Sequence, residues 1–472
     1  MTFSTVGASD RWARYTRIVL FTAVGVTLTW VALVFAFGGI HFDDFVNLHE
    51  SRGATAMSAE EWLKPASDGR WQPLKRLAYD ALARTAGLTF WPYALALAAG
   101  HLLTAWGIAS AGRAIWPEAA GGRLAGLIAL ASLNLSAYSL ANAGTLHGIL
   151  SVALSVWAVS SALHGARAKR YLDARLVLSV IATIAACLYK ETGVTTPALA
   201  AYGLWLASRG RQIARLEMLR AIGAPALGVA AYFLLRFALD IGLFPSHGRY
   251  SAGGRGFSIT NLVVVLAGVA PWAATALMGS IKNATQSGRA VELVAMGAAA
   301  VAMALPSLLL PWTSPNFWYA TVPVVGLGTA ALLLRATRPA RAFSALSLLM
   351  AVVLVACTGA AWRAGAHHWG PYSKASVTHW RTFPRQGGRV VWFDRDNGAS
   401  YGGLYRTIGP GDRLAHALRV ATGDPSIEAV ACIDLLVGPP CTVREGDEIY
   451  MHSRGRLERL LTPPPGKWYV LP

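Results

Sequence analysis

Charged residues are scarce in this chain of 472 residues: they make up 14% of the sequence, whereas a soluble globular protein carries about a quarter. Together with a hydrophobic fraction of 54% and a mean hydropathy of +0.42, this scarcity excludes an ordinary soluble enzyme. Cysteine is scarce too, and its four residues exclude a disulfide-framework protein. The sequence also lacks a Walker-type phosphate loop, a dinucleotide fingerprint and a nucleophile elbow, which argues against a pump driven by ATP on this chain.

Long apolar runs are what the sequence contains instead. Most of them are long enough to cross the roughly 30 Å hydrocarbon core of a bilayer as a helix. The runs cover residues 18–40, 90–111, 123–140, 145–164, 176–189, 193–208, 221–239, 261–281, 291–310, 318–335 and 342–362. They predict an all-α polytopic membrane bundle of about eleven transmembrane helices.

The distribution of basic residues predicts the orientation of this bundle. A net charge of +18 would indicate nucleic-acid binding in a soluble protein, but here the cations cluster in alternate short gaps between the apolar runs. Cytoplasmic loops carry such an excess of Lys and Arg, so we expect residues 1–17 in the cytoplasm and the C-terminus outside. The prediction is a multi-pass protein of a bacterial inner (plasma) membrane. Its membrane domain covers 18–362 and includes a long outer loop over 41–89.

Residues 363–472 follow the last run and are predicted to form a small extracytoplasmic α/β domain. A strand-like segment at 389–393, a helical pattern at 412–421 and a second strand-like segment at 428–432 predict the order strand, helix, strand. Cys432 and Cys441 lie in this tail, on the oxidising side, where they could form a disulfide. A pair of free buried thiols is an open alternative, because spacing alone does not define disulfide geometry.

Two adjacent carboxylates, Asp43 and Asp44, follow the outer end of the first predicted span. Solvated loop charges are the simplest explanation of such a pair. Phe42, Phe45 and Val46 favour a functional role, because they hold the pair near the low-dielectric boundary, where an ionised acid costs free energy unless it is used or paired. We therefore predict that Asp43 and Asp44 are catalytic.

Lys190 and Glu191 form a second charged pair, at or near bilayer depth. Charged residues there cost about 2.5–3.5 kcal/mol each on insertion scales, so they normally pair and face a cavity. An ion pair that fixes the turn between two spans and a contact with substrate are compatible interpretations. His101 and His147 lie within predicted spans, where we expect hydrogen-bonded packing rather than metal ligation.

The long outer loop contains a pattern typical of a helix lying on the membrane surface. Trp71, Leu74, Ala78, Ala81 and Leu82 fall on one helical face. Anchoring is the simplest role of such a helix. A second role is to hold basic side chains against a phosphate at headgroup depth, which suits guanidinium and ammonium groups. The main candidate ligands of a lipid phosphate are Arg70, Lys75, Arg76, Lys190, Glu191 and Arg236, and Arg249 and Arg255 are further candidates.

Together these features resemble the GT-C superfamily of polytopic glycosyltransferases, in particular its protein O-mannosyltransferase-like branch. The resemblance rests on Asp43-Asp44 and covers roughly residues 15–362. Three short segments support it by their order and sidedness: Gly69-Arg70-Trp71-Gln72-Pro73-Leu74, Tyr189-Lys190-Glu191-Thr192 and Pro315-Asn316-Phe317-Trp318-Tyr319. The sequence lacks the large inserted β-domain of the mannosyltransferases, so a protein acceptor is not implied.

The resemblance implies a polyprenyl-phosphate sugar donor and transfer, with inversion, to an acceptor hydroxyl on the outer face. Asp43 would be the general base and Asp44 a positioning or cation-pairing residue, while a cation stabilises the departing phosphate. The implied partners are the lipid-linked sugar, membrane lipids and an acceptor glycan, lipid or protein. The resemblance implies no particular cofactor, and metal dependence is open, because an acidic pair can bind a divalent cation or act without one. A lipid or glycan transporter and a non-catalytic cell-envelope assembly protein are the alternatives.

Overall fold

Helices dominate the structure, a computed structural model that describes residues 6–37, 48, 63–65, 70–116, 119–168, 173–241, 258–278, 286–309, 315–336, 338–364, 389–394, 413–424, 426–433, 441–453, 456–463 and 469–470. In chain order the helices are α1 (Val6–Phe37), α2 (Pro73–Ala86), α3 (Phe90–Ile115), α4 (Ala119–Ala131), α5 (Leu133–Leu140), α6 (Leu146–Ala166), α7 (Ala174–Tyr189), α8 (Thr196–Ser208), α9 (Arg215–Ala238), α10 (Ile259–Met278), α11 (Gln286–Leu308), α12 (Val322–Leu334), α13 (Pro339–Ala364) and α14 (Arg413–Thr422). Three 3₁₀ turns of the described chain, Ala143–Thr145, Glu191–Thr195 and Pro315–Thr321, lead into α6, α8 and α12.

In the part of the chain that the structure describes, every predicted span consists largely of helix. Among the described residues, six helices are long and apolar enough to cross a membrane, and they fall in α1, α3, α6, α9, α11 and α13. The number rises to seven if α4 and α5 form one bent span, and α7, α10 and α12 are shorter apolar helices. The chain is therefore a multi-pass membrane protein, whereas the expected total of eleven spans stays a prediction.

The third predicted span is bent by 55° between α4 and α5, at Ser132. A bend frees backbone carbonyls that a continuous helix would use, and within a membrane these carbonyls need other donors. His101 Nε2 donates to Leu130 O at 3.1 Å, so His101 has the packing role expected from the sequence. Thr145 Oγ1 donates to Ser139 O and thereby ties the end of α5 to the turn before α6.

α6 lies at the centre of the bundle and packs against α3, α7 and α9. The most apolar 18-residue segment of α6 is 72% buried inside the bundle. The corresponding segments of α1 and α9 are only 28% and 22% buried, so these two helices lie at the periphery. Small buried side chains such as Ala153, Ser155 and Ala158 allow this close packing. The 21 residues of α6 span about 31 Å at 1.5 Å per residue, which matches a bilayer core. We call the two ends of the bundle the Leu146 end and the Ala166 end.

Carboxylates hold arginine side chains at the Ala166 end. Glu217, at the start of α9, pairs with Arg211. Glu292 of α11 pairs with Arg335 beyond α12, and Arg209 beyond α8 lies 3.9 Å from the same carboxylate. Glu292 is buried. These ion pairs join the ends of four helices. They lie in or next to the short loops in which the sequence concentrates its basic residues.

The C-terminal tail has the predicted order strand, helix, strand, which β1, α14 and β2 confirm. The strands are β1 (Val390–Asp394), β2 (Ala429–Ile433), β3 (Cys441–Thr442), β4 (Glu448–Ser453), β5 (Arg456–Leu460) and β6 (Tyr469–Val470). A four-stranded sheet has the order β2-β1-β4-β5, with β1 parallel to β2 and β4, and β5 antiparallel to β4. Strand β1 is buried on both faces, as an apolar central parallel strand should be.

Cys432 of β2 is disulfide-bonded. Cys187 and Cys357 are free, and Cys441 is the one other cysteine of the sequence. Of the two alternatives for the tail cysteines, the disulfide is therefore the one that the structure supports. Cys187 is fully buried in α7 and acts as a packing residue.

Candidate functional site

The turn between α7 and α8 positions Lys190 and Glu191 at the Leu146 end. α7 ends at Tyr189, the Lys190 backbone is extended, and the 3₁₀ turn begins at Glu191. Gly193 N donates to Lys190 O at 2.9 Å. A Cβ on Gly193 would lie 2.5 Å from the backbone nitrogen of Cys187, so the turn closes this tightly only with glycine.

The N-terminal end of α6 lies against this turn. Asn142 caps the preceding 3₁₀ turn, since its side chain accepts a hydrogen bond from Gly144 N at 2.9 Å. A Cβ on Gly148, in the first turn of α6, would lie 3.3 Å from Lys190 Nζ, so the glycine leaves room for the ammonium group. A helix N-terminus carries partial positive charge, and together with the ammonium it favours a bound anion.

A cavity of about 380 Å³, which includes its part open to solvent, lies between these elements. Its polar lining in the described chain comes from Ser139, Thr145, His147, Lys190, Thr192 and Tyr319. The cavity thus combines hydroxyl groups, an imidazole and an ammonium group at one end of a membrane bundle. Pockets with a few convergent polar groups of this kind are the usual sites of ligand binding.

Three cations gather near His147, and we call Arg70, Lys75 and Lys190 the basic cluster. All three act electrostatically on the His147 ring, and Arg70 also acts on Lys190. Lys75 is 6% exposed, so one of these charges lies deep in the protein. Like charges in one partly buried region repel one another, so the basic cluster favours an anionic ligand.

Helix α2 buries a different face from the one predicted. The helix begins at Pro73, so Trp71 precedes it, and Ala81 is exposed although it was expected on the apolar face. The buried residues of α2 are Pro73, Lys75, Tyr79 and Asp80. Tyr79 donates its hydroxyl to Ala143 O at 2.7 Å, which docks α2 beside the start of α6 and brings Lys75 to the cavity region. Apolar periodicity misses this face because polar side chains can be buried when they find partners.

Glu191 supplies a negative charge to the site. Gln72 Nε2 donates to Glu191 Oε2 at 2.6 Å, and Glu191 also acts electrostatically on Lys190. The second carboxylate oxygen, Oε1, is buried and has no hydrogen-bond partner in the described part of the chain. A buried acceptor without a donor costs free energy, so this oxygen favours a ligand that brings a hydroxyl or N–H group.

Burial lowers the pKa of Lys190, which lies between the ends of two helical segments, to about 8. The neighbouring Glu191 opposes this change in pKa, and Arg70 adds to it. The ammonium form therefore prevails at neutral pH and is lost as the pH rises above about 8. A bound anion would stabilise the protonated form and raise this pKa.

Arg76 and Arg236 make contacts outside the basic cluster. Arg76 Nη1 donates to Lys64 O at 2.9 Å. Arg236 is 1% exposed, and its Nη1 donates to the hydroxyl of Tyr232 at 3.0 Å. Tyr232 in turn stacks on Trp71, with ring centroids 5.7 Å apart. Of the six main predicted phosphate ligands, the structure brings together Arg70, Lys75, Lys190 and Glu191. Arg249 and Arg255 lie outside the described residues.

Asp43 and Asp44, the predicted catalytic pair, lie outside the described residues, so their role stays a prediction. Leu48, shortly after the pair, is described and is fully buried. A divalent cation at the site also stays a prediction. Within the described ranges, no group of three or more His, Cys, Asp or Glu side chains could hold a metal ion.

The residues of the site that were not predicted from the sequence include Gln72, Tyr79, His147 and Gly148. Gln72 lies within the segment Gly69 to Leu74, but its polar side chain gives no sign of its partner. His147 and Gly148 occupy the first turn of an apolar span, directly after Asn142 and its turn. His147 could have been identified as a candidate, because it is a polar residue at the end of an apolar span, on the same predicted side of the membrane as Lys190.

Solved structures of ArnT have a fold similar to that of this chain. ArnT from Cupriavidus metallidurans bound to undecaprenyl phosphate has a TM-score of 0.54 at 13% identity, with 87% of this chain and 85% of that chain covered. Its apo structure has a TM-score of 0.51 with the same identity and coverage. The apo oligosaccharyltransferase of Archaeoglobus fulgidus has a TM-score of 0.45 at 12% identity, with 88% of this chain and 64% of that chain covered. No family model and no curated protein matches the sequence.

The chain therefore shares the fold of ArnT, which agrees with the resemblance to the GT-C superfamily that the sequence indicated. At 13% identity the similarity to ArnT shows the fold alone, so the reaction has to be argued from the site. The O-mannosyltransferase-like branch stays a prediction.

Proposed function

We propose that this protein is a membrane glycosyltransferase that moves a sugar from a polyprenyl-phosphate donor to an acceptor hydroxyl. The observation that carries the proposal is the gathering of Arg70, Lys75 and Lys190 near His147, beside the N-terminal end of α6. The site lies at one end of a membrane bundle, where an anion carried by a lipid can reach it. A phosphate on an isoprenoid chain has this chemistry, and ArnT, which shares the fold, has been solved with undecaprenyl phosphate bound.

The reaction forms a bond between the acceptor oxygen and C1 of the sugar, and it breaks the bond between C1 and the phosphate oxygen. The acceptor proton passes to a carboxylate, a role that we assign to Asp43, with Asp44 as its positioning partner. The phosphate leaves with the bonding electrons and gains negative charge. Lys190, Lys75 and Arg70 stabilise that charge. Attack from the side opposite the phosphate inverts the configuration at C1.

Glu191 has a role in holding the sugar. Its Oε2 is occupied by Gln72, whereas its buried Oε1 has no hydrogen-bond partner among the described residues. A sugar hydroxyl is a suitable donor to that oxygen. Since Glu191 follows Lys190 directly, one turn of the chain would contact both the phosphate and the sugar that it carries.

The distribution of basic residues supports an outer-face reaction. In this arrangement the N-terminus is cytoplasmic, the Ala166 end faces the cytoplasm, and the Leu146 end carries the site toward the exterior of a bacterial inner membrane. The tail over 363–472 then lies outside, where a disulfide at Cys432 is stable.

Transfer of a radiolabelled sugar from a polyprenyl-phosphate donor, measured in membranes, tests the proposal. The variants Asp43→Asn and Asp44→Asn, made separately, should lower transfer by about 10²- to 10⁴-fold in at least one case. Asp173→Asn is the matched control, because Asp173 caps α7 at the opposite end of the bundle and should leave transfer unchanged. Full transfer by both variants would contradict the catalytic assignment. If no lipid-linked sugar is consumed by the native protein, the enzyme proposal fails.

A lipid or glycan transporter is the second candidate, favoured by the bend between α4 and α5, because broken helices often line transport pathways. The freed carbonyl of Leu130 is used by His101, which supports a structural reason for the bend. Reconstituted vesicles separate the two functions. A transporter moves the lipid-linked sugar across the bilayer intact, a transferase consumes it, and an assembly protein does neither.

A further inference from the structure

We propose that His147 contacts the phosphate of the ligand, so that its imidazole donates a hydrogen bond to the group held by the basic cluster. The proposal rests on the proposed function for the identity of the ligand, a phosphate on a polyprenyl chain. It adds a neutral hydrogen-bond donor to the cations that were predicted from the sequence.

The position of His147 is the first line of support. It lies in the first turn of α6, next to Gly148, and it lines the cavity together with Lys190. The ring has a backbone hydrogen bond with Gly144, but within the described part of the chain its buried Nδ1 atom has no partner that meets full hydrogen-bond geometry. Leaving such an atom unsatisfied costs about 1–3 kcal/mol, and a ligand oxygen would remove this cost.

The charges around the ring are the second line of support. Arg70 precedes α2, Lys75 lies on α2, and Lys190 lies in the turn after α7, yet all three act on the same imidazole. His147 is thus where the fields of three separate segments overlap. An anion bound beside the ring interacts with all three cations at once, in addition to the positive end of α6.

A second histidine of the same bundle shows what a packing role looks like. His101 has a partner for each ring nitrogen: Nδ1 lies 2.9 Å from the Tyr319 hydroxyl, and Nε2 donates to Leu130 O at 3.1 Å. His147 instead lies beside the ring of Tyr79, at 6.2 Å between centroids, and the hydroxyl of Tyr79 is already bonded to Ala143 O. His101 thus has two well-formed hydrogen bonds, whereas the His147 ring has a backbone hydrogen bond with Gly144 and a buried Nδ1 without a well-formed one among the described residues.

The chemistry of the contact defines its effect. Phosphate oxygens accept hydrogen bonds, so the ring nitrogen that faces them carries a hydrogen. A polyprenyl phosphate that has lost its sugar is a monoester with up to two negative charges, whereas the phosphodiester donor has one. The contact from His147 should therefore favour the phosphate as it departs.

Binding of two lipids to the purified full-length protein tests the inference. Undecaprenyl phosphate and undecaprenol differ only in the phosphate, and native mass spectrometry can measure the affinity for each. His147→Ala should weaken binding of the phosphate about tenfold or more and leave binding of the alcohol unchanged. His147→Gln, which keeps an N–H donor, should restore part of the affinity. His164→Gln, at the other end of α6, is the matched control and should bind both lipids like the native protein.

Equal losses for both lipids, or no loss for either, would show that His147 only packs and would overturn the inference. The inference and the proposed function can also fail separately. If the phosphate binds through His147 but no sugar is ever transferred, the proposed function fails and the contact stands. If sugar is transferred at the same rate by His147→Ala, with unchanged affinity for the phosphate, the contact is wrong and the proposed function stands.

Discussion

Replacing Lys190 by Met removes the ammonium group while keeping most of the side-chain volume. The ammonium occupies the space over Gly148, at the positive end of α6, where the ligand phosphate is proposed to bind. A hydrogen bond to a charged group contributes about 1.5–3 kcal/mol, so the variant should bind undecaprenyl phosphate about 10- to 150-fold more weakly. Burial disfavours the charged form of Lys190, as its lowered pKa of about 8 indicates, so the variant should be no less stable than the native protein.

The assay is a titration of the purified protein with undecaprenyl phosphate, with the melting temperature recorded alongside. Arg76→Gln is the matched control, because Arg76 is a neighbouring cation whose guanidinium donates to Lys64 O. Its affinity should stay within about twofold of the native value, as a surface charge contributes little. Native affinity in Lys190→Met, or an equal loss in Arg76→Gln, would refute the assignment of Lys190 to the phosphate.

Three further predictions concern the same site and the opposite end of the bundle. Phosphate binding should weaken as the pH rises above about 8, the pKa of Lys190 in the free protein, because binding takes up the proton; Lys190→Met should flatten this part of a pH titration. Gly193→Ala should lower the free energy of unfolding by about 1–3 kcal/mol in a denaturant titration, since its Cβ meets the Cys187 backbone, while Gly223→Ala, with open space around it, should not. Glu292→Gln should cost about 1–2 kcal/mol in the same titration, because the carboxylate is buried but its arginine partners are about one-third exposed; an unchanged midpoint would show that this cluster contributes nothing to stability.

The helical bundle could be predicted from the sequence because a bilayer imposes a minimum length on every apolar span. The described part of each predicted run is largely helical, including the pair on either side of Lys190 and Glu191. The bend at Ser132 could not be predicted, since no proline or glycine marks it. The bend frees the carbonyl of Leu130, and His101, which is distant in sequence, donates a hydrogen bond to it. Run length carries no information about such tertiary partners.

The site was predictable in part. The importance of Lys190 and Glu191 could be predicted from their charge at bilayer depth. A charge there costs free energy and is retained only when it is paired or used. Lys75 and Arg76 show what could not be predicted: adjacent residues on a helix project about 100° apart, and only the docking of α2 decides which one is buried. His147 was missed for a related reason, since a single polar residue in an apolar run does not reveal whether its ring has a partner.

A structure of the protein with undecaprenyl phosphate, determined by electron cryo-microscopy, tests the location of the phosphate site most directly. We predict phosphate density within hydrogen-bonding distance of Lys190 Nζ and the His147 ring, in the cavity beside the start of α6. Phosphate density at another place, such as the arginines of the Ala166 end, with no ligand in this cavity, would contradict the proposed site.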